Sequence, residues 1–592
     1  MATNSWQARY GPITRRRFLA GTAAGVGAAA LIACGGSKEE VALKAGQERA
    51  PGAVLYTRDS HLWPDETKTA VAGGIYPGFV DTDNTAGFDP YLGASAETVS
   101  TDPYEYLLRK RRGPGIGPGS PEYLEMVPHL AQSYESSSDL TTYTFKLRRG
   151  VKFHPIAPVN GREMDIDDWR ASYKRFTEVH PNRPNWLEVV DRVEFTDATT
   201  MVVKTKIPYF PFVLRGADED FFFTIMPREL HEKPDLAATT PIGTNYRMLD
   251  KYQPSITQEY KRFDGYWQGK PFIDRWHLPI IPEHANRYAQ FVAGNTLSFI
   301  PTLPEALDLR REVPEALMVA EQIQIDGITR SVFGHYEKTT VPWGDARVRS
   351  AMHRAVNWDA ILNFETNKDK FAAAGIEIET AFRTHLPPDP AYWLDPRKGE
   401  LGTESQNYLY DLAEAKKLVA AAGHANGFDM PLVAQQTSAG TDLWNLYHEE
   451  MKKAGIIRFE IDLMQNRTAY LDRVIRSANF KGIGWFSGAG GRGDVDYLVA
   501  RNYHSSGQAA AYTSPKLDQL VEQSRTAPDW TKRAAVLKDM QIECAKVWPV
   551  QLANHPFAEW RFEWPWLHNA NYDYPGYQHL LWLDGDMPRR NG

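Results

Sequence analysis

In Tyr143-Thr144-Phe145-Lys146-Leu147-Arg148-Arg149-Gly150-Val151-Lys152-Phe153-His154, apolar Tyr143, Phe145 and Leu147 alternate with Thr144 and Lys146, the period of a strand with one buried face. Arg149-Gly150 supplies a turn into Val151-Lys152-Phe153, so the segment predicts a β-hairpin. A helix is expected next. Ile166, Trp169, Tyr173 and Phe176 fall at helical spacing, and Asp165, Asp167 and Asp168 sit where the helix dipole favours negative charge. A strand pair leading straight into a helix places the chain in the mixed α/β class. A second hairpin is expected from Val193 and Phe195 through the turn-prone Asp197-Ala198-Thr199-Thr200 to Met201 and Val203.

Further along, helix signals dominate. Asp345 can cap a helix carrying Val348, Met352, Ala355 and, further on, Ile361, and Asp411 can cap one through Leu412, Ala415 and Leu418 that stops at Gly423. Ser514-Pro515 is a cap and first-turn pair for Leu517, Leu520 and Val521, and Asp529 opens a helix that ends before Pro549. The Gly and Pro cluster Gly113 to Gly119 reads as a surface loop, and no fixed-period repeat is present.

The chain has 592 residues, with 67 Lys plus Arg against 74 Asp plus Glu. This length permits several domains or two large lobes, each able to bury a core without disulfide staples. A pI near 6.2 lacks the basic footprint that phosphate-backbone binding requires, so nucleic acid is not an expected partner. Aromatic residues make up 12%, with 17 Trp and 28 Tyr, enough to pack two cores or to line a cleft.

Near the start, Thr14-Arg15-Arg16-Arg17-Phe18-Leu19 sets adjacent arginines before an apolar run of 16 residues, Phe18 to Ala33. A bilayer span needs about 20 strongly apolar residues, and this run is diluted by Gly21, Gly25 and Gly27. It reads as an export signal. The pair Arg15 and Arg16 resembles a twin-arginine signal, and Leu31-Ile32-Ala33-Cys34 resembles a bacterial lipoprotein box, which implies lipid attachment at Cys34. Cleavage before Cys34 would leave 63 basic against 74 acidic residues, a balance of −11. With Cys34 lipidated, only Cys544 remains. It lies at helical spacing with Leu537, Met540 and Val547, as a core cysteine would. Residues 34–70 are polar and without a sustained period, and read as a tether.

Catalytic signatures are sparse. Neither Gly113 to Gly119 nor Gly488 to Gly493 leads into Lys-Ser or Lys-Thr, there is no Gly-x-Ser-x-Gly elbow, and His448-Glu449-Glu450 lacks the second histidine of a zinc helix. No catalytic residue, metal ligand or cofactor is expected from these patterns.

Several blocks together resemble the extracellular solute-binding proteins of family 5, the peptide- and nickel-type binding components of bacterial ABC importers. They are Leu130-Ala131-Gln132-Ser133-Tyr134 with Tyr143 to His154 and then Asp167-Asp168, Pro241-Ile242-Gly243-Thr244, Phe263-Asp264-Gly265-Tyr266-Trp267 through Asp274, Asp345 to Ala351, Ala415-Lys416-Lys417-Leu418 with Gly423 and Gly427-Phe428, and Tyr512 to Asp518. The resemblance implies a two-lobe, periplasmic-binding-protein-like fold of the large peptide-binding class with a cleft between lobes. The implied division is signal 1–33, tether 34–70, first lobe 71–330, second lobe 331–549, and 550–592 returning into the first. The crossing is expected near Ile328 to Tyr336 and the return near Val550 to Pro556.

Its functional implication is a monomeric, lipid-anchored, non-enzymatic protein outside the cytoplasmic membrane that captures a peptide-like or other small organic solute for ABC permease subunits. An exported sensor or chaperone-like binding protein, and an exported hydrolase on the same frame, are the alternatives. The peptide-binding members hold the peptide ammonium with an aspartate shortly after a Gly-Trp pair. Here Gly484-Trp485 is followed by Phe486-Ser487-Gly488-Ala489-Gly490-Gly491-Arg492-Gly493-Asp494-Val495-Asp496-Tyr497, where Asp494 and Asp496 are similar to a later acidic element. Arg467 stands where a tryptophan usually precedes the Tyr-Leu pair, here Tyr470-Leu471, and Asn245-Tyr246 replaces a Gly-Pro. Candidate ligand-binding residues are therefore Trp485 and Phe486 as a stacking wall, Arg467 and Arg492 toward an anionic or accepting group, and Asp494, Asp496 and Tyr497.

Overall fold

The computed structural model describes residues 49–57, 59, 63–83, 87–92, 103–116, 121–180, 183–216, 224–320, 327–336, 338–378, 383–435, 438–490, 494–553, 560–570 and 576–585. The expected strand forms at Thr142–Leu147 with Tyr143, Phe145 and Leu147 buried, but its partner differs from the predicted hairpin. It pairs antiparallel with Ala131–Ser136 on one side and Thr200–Thr205 on the other. Val151 to Phe153 instead closes a small loop with residues 162–164, through Met164 N–H to Val151 C=O at 2.8 Å and Phe153 N–H to Arg162 C=O at 3.0 Å. Both apolar side chains of that loop are fully buried, so burial is satisfied without a second strand.

The second hairpin forms as expected, Val190–Asp197 against Thr200–Thr205, completing a four-stranded sheet. The helix Ile166–Val179 starts at Asp165, whose carboxylate accepts from Asp167 N–H while Asp168 reaches back to the Asp165 N–H. Its buried Trp169 and Phe176 join Phe145 in one apolar cluster.

A second cluster collects residues far apart in sequence, including Leu55, Tyr260, Phe291, Val319, Trp560 and Trp564. One of its sheets orders Val54–Tyr56, Leu317–Ala320, Trp560–Glu563 and Ser298–Phe299, so the start and end of the described chain pair through a common neighbour. Ala53, Leu55, Tyr56 and Trp63, expected within the tether, are instead buried in this core. A three-residue strand is too short to register as periodicity. Trp267 packs against both clusters and joins them into the first lobe.

The third cluster runs from Ile328 to Leu552 and forms the core of the second lobe. Its five-stranded sheet orders Ile457–Met464, Phe428–Gln435, Ile483–Gly490, Gly327–Phe333 and Val550–Ala553. The first three strands are parallel, while the crossing strand Gly327–Phe333 lies antiparallel between Ile483–Gly490 and the return strand Val550–Ala553. The helix capped by Asp345 ends at Arg354, and Asn357 caps a separate helix, Trp358–Thr366, that carries Ile361. Asp411, Ser514 and Asp529 cap their helices as expected, and Cys544 is buried. Helix Lys368–Ala373 departs from this body, stacking Phe371 on Trp560 of the first-lobe core at 5.5 Å between centroids.

Among the described residues no helix is long and apolar enough to cross a membrane. Gly243 shows why one block is glycine: a Cβ there would lie 1.7 Å from the Pro103 carbonyl oxygen. The next residue, Thr244, donates to the buried Glu105 at 2.6 Å, and Tyr266 and Trp267 donate to the same carboxylate at 2.8 and 3.1 Å. These block residues therefore serve packing in the first lobe.

Candidate functional site

Where the lobes meet, Tyr209 and Arg215 of the first lobe reach a carboxylate of the second. Asp496 opens the helix Asp496–Tyr503 and is completely buried. It accepts from Arg215 Nη1 at 2.7 Å, from Tyr209 Oη at 2.5 Å, and from Arg525 Nε at 2.7 Å and Nη2 at 3.2 Å. Burial alone would raise its carboxyl pKa, but the charges of Arg525 and Arg215 hold it well below the usual carboxylate range. Beside it, Asp494 is gripped by both terminal nitrogens of Arg533 and accepts from Asp496 N–H at 2.7 Å. Phe210 continues the seam, its N–H donating to Arg525 C=O at 2.7 Å and its ring stacking with Trp530 at 6.3 Å.

Behind the seam lies a second group of cations and phenols. Arg330, on the crossing strand, is buried, and its Nε donates to Asn502 Oδ1 at 2.8 Å. Burial, with the charge of Arg501 added, brings Arg330 down to about 10. Arg501 donates to Tyr497 Oη at 2.7 Å, and the Arg215 guanidinium lies 5.7 Å from the Tyr497 ring. Tyr497 thus touches arginines from both lobes. The sheet register sets position 486 opposite Arg330 and Trp485 opposite Ser331, so the pleat sends Trp485 and Arg330 to opposite faces. Trp485 is buried in the second-lobe core beside Tyr447, with ring centroids 5.5 Å apart.

A family model described as bacterial extracellular solute-binding proteins, family 5 middle, matches residues 125–510. The chain belongs to this family. The dipeptide-binding protein of Escherichia coli strain K12 is 26% identical over 491 residues, covering 77% of this chain and 84% of the relative. Heme-binding protein A of Haemophilus influenzae is 24% identical over 497 residues, covering 77% and 82% respectively. Among solved structures, the periplasmic binding protein DppA of Helicobacter pylori in complex with the peptide STSA superposes with a TM-score of 0.66 at 19% identity, covering 87% of this chain and 99% of that one. The fold is the two-lobe architecture of the periplasmic peptide-binding proteins, and this family and these relatives are binding proteins.

The structure brings Asp494, Asp496 and Tyr497 together at the seam and sets Trp485 in the second-lobe core. Arg467 begins the helix Arg467–Tyr470, and Phe486 lies in the strand Ile483–Gly490; the side chains of both lie outside the described residues. Arg492, Cys34, Arg15 and Arg16 lie outside the described residues. Tyr209, Arg215, Arg330, Arg501 and Arg525 were not singled out by sequence reasoning. Tyr209 and Arg215 find Asp496 287 and 281 positions away and Arg330 finds Asn502 172 positions away, while Arg525 and Arg501, 29 and 4 positions from their partners, are isolated arginines that carry no motif. Among the described residues no group of metal-ligating side chains comes together.

Proposed function

We propose that this family 5 protein is the lipid-anchored substrate-binding component of a bacterial ABC importer. Arg15 and Arg16 direct its export, Cys34 carries the lipid, and the protein works as a monomer at the outer face of the cytoplasmic membrane. It captures a peptide-like or other small organic solute between its lobes and delivers it to permease subunits without a catalytic step. In this reading the lobes span residues 53–330 and 331–549, and the chain from 550 onward completes the first.

The observation that carries the proposal is the seam in which Tyr209 and Arg215 of one lobe share the Asp496 carboxylate of the other. A contact of this kind couples lobe closure to the contents of the cleft and so to the surface offered to a membrane partner. In this reading Arg330, Arg501 and Tyr497, with Arg467, Arg492 and Phe486, form the wall toward an anionic or hydrogen-bond-accepting part of the solute, while Trp485 supports it from the second-lobe core. Asp494 and Asp496 are already engaged by arginines and act by positioning that wall. The relatives named for dipeptide and heme binding support a small organic solute as the class.

Mass spectrometry of the ligand released from freshly purified protein supplies the compound for calorimetry on the wild type, Arg467→Ala and Arg330→Gln. The expected result is a ligand recovered chemically unchanged that binds at least one variant more weakly. Wild-type affinity in both variants would remove the cationic wall from the site.

A further inference from the structure

Away from the seam, the first lobe holds a cavity of about 520 Å³ between the strand pair Leu108–Lys110 and Met126–Pro128 and the stretch 576–580. Its polar lining consists of Arg109, Arg111, Arg112, Gln268, Tyr577 and His579, and no carboxylate side chain lines it. Arginine thus supplies the charge of the lining.

Each arginine is held in place. The Arg109 guanidinium lies 3.7 Å from the centroid of the Tyr577 ring and donates from Nη1 to the Gly576 carbonyl. Its Nε is buried without a hydrogen-bond partner among the described residues, as is Nδ1 of the buried His579. Arg112 sits 3.6 Å from the Tyr123 ring centroid and donates from Nη1 to the carbonyls of Arg111 and Tyr123 at 2.7 and 2.8 Å. Arg111, at the half-exposed rim, forks onto Glu125 at 2.7 and 2.9 Å. Of the other nearby acids, Glu122 adds its charge beside Arg111 at the rim, and Glu105 is engaged by His129, Thr244, Tyr266 and Trp267. Position 576 has φ +85, and a Cβ there would lie 2.9 Å from Arg109 Cδ, so glycine at this turn lets the arginine settle against the backbone.

Donors fixed in position around a void, with positive charge in excess of the acids facing it, suit an oxyanion. Carbonyl contacts orient Arg109 and Arg112, and the unpartnered buried Nε–H of Arg109 costs stability until an acceptor arrives. We propose that this cavity is a second ligand site, separate from the interlobe cleft, that binds a carboxylate- or phosphate-bearing molecule through Arg109, Arg111 and Arg112, with the Tyr577 ring as its apolar floor. Such a site would let the first lobe engage an anion while the cleft is open or filled. A free anion and an anionic lipid headgroup share the required chemistry, and their sources can be separated.

The test uses the full mature chain. Citrate and inorganic phosphate are titrated by calorimetry against the wild type, Arg109→Gln and Arg111→Gln, and cosedimentation is measured with vesicles of phosphatidylcholine alone or with phosphatidylglycerol. The expected result is binding of at least one of these probes, weakened about tenfold in Arg109→Gln by loss of a charge-assisted donor and by a smaller factor in Arg111→Gln. Arg109 also supports the Gly576 turn, so Arg111→Gln at the rim tests the charge without disturbing the core. Response to citrate or phosphate assigns a soluble anion, and response to phosphatidylglycerol vesicles alone assigns a headgroup. Absence of binding to every probe, or wild-type affinity in both variants, overturns the proposal. Arg215→Met should bind these probes like the wild type, which separates failure here from failure of the cleft.

Discussion

Replacing Arg215 by methionine removes the first lobe's charge from the seam while leaving Asp496 its second-lobe partner. At an effective dielectric of about 20, opposite charges at the 2.7 Å separation of Arg215 and Asp496 attract by roughly 6 kcal/mol. Desolvation of both groups offsets much of this, and truncating one partner of a buried, hydrogen-bonded charge pair typically loses about 2–5 kcal/mol. Asp496 keeps two bonds from Arg525, at 2.7 and 3.2 Å. The expected loss is therefore at the lower end, about 2 kcal/mol or roughly 30-fold in the ratio of closed to open lobes. Small-angle scattering of the ligand-free variant should show a larger radius of gyration than the wild type. Calorimetry with the ligand released from the wild type should show affinity reduced by up to the same factor, because only the competent fraction binds. Thermal unfolding should change little, since the solvated Asp496–Arg525 pair survives opening. Wild-type scattering together with wild-type affinity would refute a role in closure, and a collapse of the unfolding midpoint would mark the contact as purely structural.

Burial and the Asp494 charge push the Asp389 carboxyl up to about 6. Its folded value lies above the unfolded value of about 4, so its stabilising contribution, complete below about pH 4, is lost as pH rises through about 6. Asp389→Asn should flatten that fall and raise the unfolding midpoint at neutral pH; superimposable pH profiles for variant and wild type would exclude it. The Cys544 thiol is fully buried and raised well above its usual range by burial. A thiol reagent should therefore label it only after denaturation, and rapid labelling of the native protein would contradict the packing. Cys34→Ser should release the protein from membrane fractions, an outcome read by fractionation and immunoblotting; persistent membrane association would rule out the lipid anchor.

Within the fold, what could be read in advance tracks the range of the interaction. Asp165, Asp345, Asp411, Ser514 and Asp529 each cap a helix through a backbone N–H within three residues, so residue type and spacing sufficed. The turn at Asp197 was equally local, its carboxylate accepting from Thr199 N–H at 2.7 Å. Partner choice was not local. Thr142–Leu147 has the alternation of a strand, yet nothing within it distinguishes pairing with Val151 to Phe153 from pairing with Ala131–Ser136. The site follows the same division: the acidic pair near Asp496 stood out by its likeness to a family element, whereas the arginines that engage it did not.

By itself, the sequence determined the α/β class, the family and the ends of most helices named here, because caps, turns and ordered blocks act through neighbours along the chain. Tertiary structure alone decided that Val54–Tyr56 and Trp560–Glu563 share a sheet, that Trp485 packs inward beside Tyr447, and that Arg215 meets Asp496 across 281 positions. The physical reason is desolvation. An arginine or aspartate in isolation is at home in water, and only the closing of two apolar cores around it creates the low-dielectric setting in which pairing becomes obligatory.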